Sequence, residues 1–476
     1  MNCTRREFLR TSGLTGALLA LQQLGCEETG AMGKPNVILC MTDDQGWGDT
    51  GYNGHPILKT PNLDAMSQEG VRFDRFYAGA PVCSPTRGSC LTGRHPHRYG
   101  IFYANVGHMP KEEITLAEAL KTQGYTTGHF GKWHLGTLTK TEKDSNRGGP
   151  RGVKEYSPPW DNGFDVCFST EAKVPTYNPM ITPSGWGKKR GKAGRPFGTH
   201  YWSGPDKKVT DNLEGDDSRI IMDRVIPFVR DAAKSKKPFL AVVWFHTPHL
   251  PVVAGPEHRA LYKDQPMAAQ HYFGCITAMD EQVGRLRKEM KDLGVEQNTM
   301  LWFCSDNGPE GKKDTGTNGS AGGLRGRKRS LYEGGIRVPG MLVWPGKIKE
   351  PRVVSMPCCT SDYFPTVLGV LGFKMQGQPE PIDGVSLVPL IEGKMAERPR
   401  TIGFQSKNQL ALIDNRYKLY SSNKGKSHSL FDIPEDRAES RDRAAEKPEI
   451  ADKMKQTLDA WVASCKDSLN GKDYRQ

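Results

Sequence analysis

The sequence predicts an α/β fold, with a large, mostly parallel sheet flanked by helices and a smaller α+β subdomain towards the C-terminus. Short apolar runs alternate with helical stretches up to about residue 370, the pattern of strands joined by crossover helices. Three of those runs turn directly into polar clusters: Asp43-Asp44, His246 to His249, and Asp306-Asn307. Ligands of open α/β sheets gather at the carboxyl ends of strands, so these three clusters are expected to converge.

The elements are taken in chain order. Residues 36–41 form a compact apolar run ending in Thr42-Asp43-Asp44, which predicts a buried parallel strand with acids at its carboxyl end. An amphipathic helix is expected over 116–123 and a strand over 125–130. Asp216-Asp217 caps a helix running through Ile220, Val225 and Val229, where acids are favourable. Further expectations are a strand over 239–245, a helix over 280–293 and a strand over 300–304. Beyond Asp383-Gly384-Val385-Ser386-Leu387 the texture changes to short strands at 409–413 and 417–420 and a helix near 450–463. The expected organisation is a leader and linker over 1–33, a main α/β domain over 34–370 and a C-terminal α+β subdomain over 371–476.

The formal charge of +12 favours polyanionic partners. No helix-turn-helix, zinc-finger or RNA-binding signature stands behind it, so nucleic acid is not expected as a partner. Thr4-Arg5-Arg6-Glu7-Phe8-Leu9-Arg10, followed by an apolar stretch over 14–24, resembles a twin-arginine export signal. The expectation is export through that machinery across the cytoplasmic membrane to the periplasm. Gln23-Leu24-Gly25-Cys26 resembles a degenerate lipoprotein box and makes Cys26 a candidate lipid attachment point. The eleven cysteines are scattered, and Cys40, Cys275 and Cys304 sit in apolar runs as small buried hydrophobes.

Cys83 differs from them. Cys83-Ser84-Pro85-Thr86-Arg87, continuing to Leu91-Thr92-Gly93-Arg94, resembles the signature of type I sulfatases. Other segments match that family in its chain order: Asp43 to Asp49, Gly131-Lys132-Trp133-His134-Leu135-Gly136, His246 to Pro251, Ser305-Asp306-Asn307-Gly308, and Leu324 to Pro339. The resemblance spans residues 35 to about 465 and implies the alkaline-phosphatase-like fold. It implies that Cys83 is oxidised to formylglycine by a dedicated maturation enzyme.

It also assigns the residues. Asp43, Asp44, Asp306 and Asn307, beside residue 83, form an oxygen set that suits Ca2+ ahead of Mg2+. Arg87, Lys132 and Lys328 supply positive charge where the sulfuryl group reacts. His249, with Lys328, protonates the leaving oxygen, and His134 takes the proton that frees sulfate. His246 is the alternative acid, although the spacing to Leu250-Pro251 favours His249.

The substrate class this implies is a sulfated carbohydrate. The alternatives are a phosphodiesterase or phosphonate monoester hydrolase of the same superfamily, and a non-catalytic binder of sulfated glycans. The basic, Gly-rich stretch over 182–204 belongs to no family motif. Lys188, Lys189, Arg190, Lys192 and Arg195, with rings at Trp186, Tyr201 and Trp202, are candidates to hold the glycan beside the scissile ester; the alternative is a variable, solvent-facing loop.

Overall fold

The computed structural model describes residues 33–184, 193–311 and 319–474. Leader residues Arg5, Arg6 and Cys26 lie outside them. In chain order the strands are β1 (Asn36–Thr42), β2 (Val71–Phe73), β3 (Phe76–Tyr77), β4 (Thr126–Lys132) and β5 (Val166–Thr170). Then come β6 (Phe239–Trp244), β7 (Thr299–Ser305), β8 (Arg337–Val338), β9 (Gly340–Val343) and β10 (Arg352–Val354). The last five are β11 (Cys358–Cys359), β12 (Ile402–Ser406), β13 (Gln409–Ile413), β14 (Tyr417–Ser421) and β15 (Ser429–Asp432).

Eight strands make the main sheet, in the order β10-β2-β9-β7-β1-β6-β4-β5. Neighbours are parallel except where β9 runs against both β7 and β2. The central strand β1 is buried along its whole length. Its side chains alternate, Val37, Leu39 and Met41 entering one apolar layer and Ile38 and Cys40 the other. A strand covered on both faces needs helices on both. Asp217–Lys234 and Met267–Asp292 contribute to one layer; Cys83–Thr92, Leu116–Lys121 and Tyr363–Val370 contribute to the other.

The expected elements form within a residue or two, with two clear extensions. The helix expected over 280–293 starts at Met267 instead. Its first turns carry Tyr272, Phe273, Gly274 and Cys275, weak helix formers that are held here by burial. The last helix likewise runs Pro448–Leu469 rather than 450–463.

β12 to β15 form an antiparallel meander. Leu410, Leu412, Leu419 and Leu430 face the Pro448–Leu469 helix, and Phe404, Ala411, Ile413, Tyr420 and Phe431 face Tyr77, Leu331 and Ile336. On this inner side Lys418 is fully buried between Glu333 (3.0 Å) and Glu439 (2.9 Å). The ammonium thus joins the meander to the Glu333–Ile336 helix. Nine cysteines, including Cys40, Cys275 and Cys304 as expected, are free and buried among the described residues. No helix among those residues is long and apolar enough to cross a membrane.

Lys418→Met is expected to cost about 3–5 kcal/mol, because it leaves two buried carboxylates without their shared cation. Urea denaturation of the variant measures this, and an unchanged midpoint would show that the ammonium is not holding the meander in place.

Candidate active site

Strand order builds the site. β7, β1, β6 and β4 are consecutive neighbours, so the residues just past the carboxyl end of each strand lie beside those just past the next. β7 delivers Asp306 and Asn307, β1 delivers Asp43 and Asp44, β6 leads to His249, and β4 ends on Lys132 with His134 just beyond. The register aligns Thr42 with Ser305, and the backbone continues that pairing as Asp306 N–H donates to Thr42 O (3.0 Å). Asp43 N–H donates to Thr247 O (2.9 Å), tying the end of β1 to the turn after β6.

Gly131 allows β4 to turn here. Its φ is +100°, and a Cβ would stand 1.9 Å from Trp244 O, so a side chain at 131 would push β4 away from β6.

Cys83 is the first residue of the Cys83–Thr92 helix, with Pro85 in the first turn, where no intrahelical donor is required. Thr86 Oγ1 accepts from Ala80 N–H (3.1 Å) and donates to Ala80 O (3.0 Å), fixing the approach to the helix. One turn on, Arg87 reaches back with no exposed surface. It donates to Asp306 Oδ2 (2.6 Å) and Lys132 O (3.0 Å).

Each acid has a cation. Lys132 Nζ lies 2.6 Å from Asp43 Oδ2, Arg87 2.6 Å from Asp306 Oδ2, and Lys328 Nζ 2.7 Å from Asp44 Oδ1. Ligand atoms of Asp43, Asp44, Cys83 and His249 lie within 4.8 Å of one another. Asn307 Nδ2 donates to Asp44 Oδ1 (2.8 Å), which leaves Asn307 Oδ1 buried and without a partner, as is Asp43 Oδ1. Two orphaned buried oxygens among carboxylates fit a hard cation.

The acids divide the charge unequally. Burial opposes ionisation of Asp43, yet Lys132, His249, Arg87 and Lys328 hold its carboxyl well below the ordinary range. Burial and the Asp43 charge push Asp306 up to about 7 against the pull of Arg87 and Lys132. Burial likewise pushes the Cys83 thiol up to about 12, with Lys132 and Lys328 opposing.

The histidines take different positions. His249 Nδ1 donates to Leu250 O (2.6 Å), while Nε2 faces Asp44 Oδ2 at 3.6 Å. Burial lowers its pKa to about 4, despite Asp43 and Asp44. Both nitrogens of His246 are occupied, by Thr170 Oγ1 (2.7 Å) and Asp217 Oδ2 (2.8 Å), so it has no ring nitrogen left for a proton transfer. His134 is buried at the edge of the cluster, with Nε2 on Asn105 Oδ1 (2.9 Å) and Nδ1 without a partner.

Two contributors escape the sequence reading. Glu310 pairs with Lys328 Nζ (3.3 Å) and with Arg329, and its place directly after the Asp306-Asn307-Gly308-Pro309 segment was the available signal. Asn105 had none.

The stretch over 182–204 needs correction. Tyr201 and Trp202 are fully buried and cannot offer faces to a sugar. Tyr201 stacks on Phe168 (4.0 Å) and donates to Asp217 Oδ1 (2.6 Å); Trp202 pairs with Ser169 through the backbone and donates to Asp144 Oδ2 (3.0 Å). Loop composition says which side chains are present but not which way they turn. Arg195 is exposed, while Trp186, Lys188, Lys189, Arg190 and Lys192 lie outside the described residues.

A family model described as Sulfatase matches residues 35–373, and one described as N-sulphoglucosamine sulphohydrolase, C-terminal, matches residues 326–464. The N-acetylgalactosamine-6-sulfatase of Mus musculus is 30% identical over 427 residues, which is 85% of this chain and 75% of that protein. Arylsulfatase A of Homo sapiens is 31% identical over 415 residues, 83% of this chain and 76% of that protein. Among solved structures, Ps i-CgsB in complex with k-i-k-neocarrahexaose gives a TM-score of 0.74 at 26% identity, covering 90% of this chain and 92% of that one.

Trp202→Ala is expected to lower stability by about 3–5 kcal/mol, the cost of emptying a packed indole site. A urea midpoint that does not move would return Trp202 to the surface.

Proposed function

The chain belongs to the sulfatase family and is a sulfuric ester hydrolase, and on that premise we propose that it desulfates carbohydrates with formylglycine at residue 83 beside a bound Ca2+. The observation that carries this reading is the gathering of Cys83 with Asp43, Asp44 and His249 in one volume ringed by Arg87, Lys132 and Lys328. The sugar class is supported by the names of the relatives and by the oligosaccharide bound to the structural neighbour. Export across the cytoplasmic membrane by the twin-arginine route, read from the leader, belongs to the same proposal.

Asp43, Asp44, Asp306 and Asn307, beside residue 83, would hold the cation. Their oxygen donors suit Ca2+ better than Mg2+, which demands stricter geometry and keeps its waters. When bound, the cation draws charge from the sulfate oxygens and favours an ionised nucleophile.

A thiol has one ionisable proton, and here burial disfavours losing it. A hydrated aldehyde at residue 83 offers two hydroxyls, one to attack sulfur and a second whose deprotonation expels sulfate and restores the aldehyde. Arg87, Lys132 and Lys328 are fixed cations in a buried site, where they oppose the negative charge of the sulfuryl group.

His249 holds a proton on Nδ1 for Leu250 O, so Nε2 is the nitrogen left to face the leaving oxygen. Its low pKa comes first from burial, and the negative charge of an arriving sulfate ester favours the protonated ring that an acid requires. His134, neutral through burial and the nearby Lys132, Arg147 and Arg87, has an unpartnered Nδ1 suited to accept the proton of the second hydroxyl.

Tryptic peptides spanning Cys83 from the native host are expected to carry the aldehyde, read by mass. Active enzyme carrying only the thiol would overturn the mechanism and leave the sulfatase assignment standing. Asp306→Ala should cost more than about 3 kcal/mol in kcat/KM on an aryl sulfate.

Ca2+ binding should also release protons. Asp306, raised to about 7, binds a proton at low pH and must lose it to serve as a ligand, so affinity weakens as pH falls through that value. Calorimetry in buffers of different ionisation enthalpy measures the release, and a buffer-independent heat near pH 7 would contradict it.

A further inference from the structure

Asn105 lies outside every motif in the sequence, in a turn closed by the Tyr103–Val106 bridge, with φ at 61°. Its Oδ1 makes two contacts, with Asn146 Nδ2 at 3.1 Å and His134 Nε2 at 2.9 Å. Asn146 Nδ2 donates to this oxygen, which is the arrangement that turns the Asn105 carbonyl, and not its nitrogen, to the ring. An amide oxygen carries no hydrogen, so in the contact with His134 the proton must sit on Nε2.

A neutral imidazole has one N–H. With Nε2 protonated, Nδ1 holds a lone pair, and it is buried with no hydrogen-bond partner among the described residues. The charged groups facing the ring are Lys132, Arg147 and Arg87, which disfavour a second proton, and Asp43, which favours one. Its backbone is fixed independently, with φ at 60° and the N–H donated to Glu171 O (3.0 Å). Arg147 clamps both sides, donating to Gly107 O (2.7 Å) beside Asn105 and pairing with Glu171 Oε1 (3.2 Å) behind His134.

We propose that Asn105 is a positioning residue that locks His134 as the Nε2–H tautomer, so that Nδ1 is the atom that accepts the proton when sulfate is released. Asn146 is the second link, because its donor prevents the Asn105 amide from presenting its nitrogen to the ring. The proposal rests on the reading of His134 as the proton acceptor. A carboxylate at 105 preserves the tautomer and adds a negative charge. Glycine at 105 keeps the left-handed backbone and deletes the acceptor.

The test uses 15N-histidine NMR of the resting full-length protein, with His134 assigned by His134→Gln, beside pH profiles on a small aryl sulfate. Wild type should show His134 protonated on Nε2. Asn105→Gly should mix the tautomers and lower kcat about 10–100-fold while leaving KM within about threefold, the size of effect seen when a histidine loses its orienting partner. Asn105→Asp should keep the Nε2–H form, restore kcat to within about tenfold of wild type, and move the acidic limb to higher pH, because a carboxylate stabilises imidazolium.

A wild-type His134 protonated on Nδ1 overturns the proposal. So does an Asn105→Gly variant with unchanged tautomer and kcat. Turnover that survives His134→Gln would instead sink the catalytic reading of His134, while the tautomer measurement reports on the lock by itself.

Discussion

Three carboxylates and three cations share one buried volume at the carboxyl edge of the sheet, and the architecture around them is arranged to keep them together. An unpaired buried charge costs several kcal/mol, so each of these groups is tolerable only while its partner stays in place. The partners come from different parts of the chain. β1 and β7 carry the acids; the Cys83–Thr92 helix, the end of β4 and the segment before Glu333 carry the cations. The site is therefore also a set of ties between elements distant in sequence, and chemistry and folding depend on the same contacts.

The uneven ionisation of Asp43 and Asp306 comes from this crowding. Asp43 is surrounded by Lys132, His249, Arg87 and Lys328 and stays charged, whereas burial and the field of the Asp43 charge oppose ionisation of Asp306. Lys328 sits on Asp44, so any metal ion must share that carboxylate with an ammonium. Glu310 gives the same ammonium a second acid, and stands where it can hold Lys328 when Asp44 is engaged elsewhere.

Most of this was legible because it is local. β1, β6 and β7 announce themselves as short apolar runs, and the polar residues that matter come within a few positions of their ends, so a reading of strand ends finds the acids and His249 together, while Lys132 was found through the Gly131 to Gly136 segment. The motif around Cys83 fixes Arg87 one helical turn away. The features that stayed hidden depend on the direction of side chains or on contacts across the fold. Trp202 and Tyr201 lie in a polar, Gly-rich stretch, yet they turn inward because Asp144 and Asp217 wait there as acceptors. Asn105 meets His134 only once two loops have been brought together by Arg147. The first turns of the Met267–Asp292 helix are helical because they are packed, which no propensity reports.

The burial of every described cysteine sets an order of events. A thiol enclosed in the core is shielded from oxidants, so the described cysteines are chemically quiet in the folded protein. The same enclosure covers Cys83, which is 1% exposed. A macromolecule that had to enclose this side chain in a site of its own would find it open only while the chain is unfolded. Folding thus places the side chain at residue 83 among Asp43, Asp44 and His249 and withdraws it from large partners in the same act.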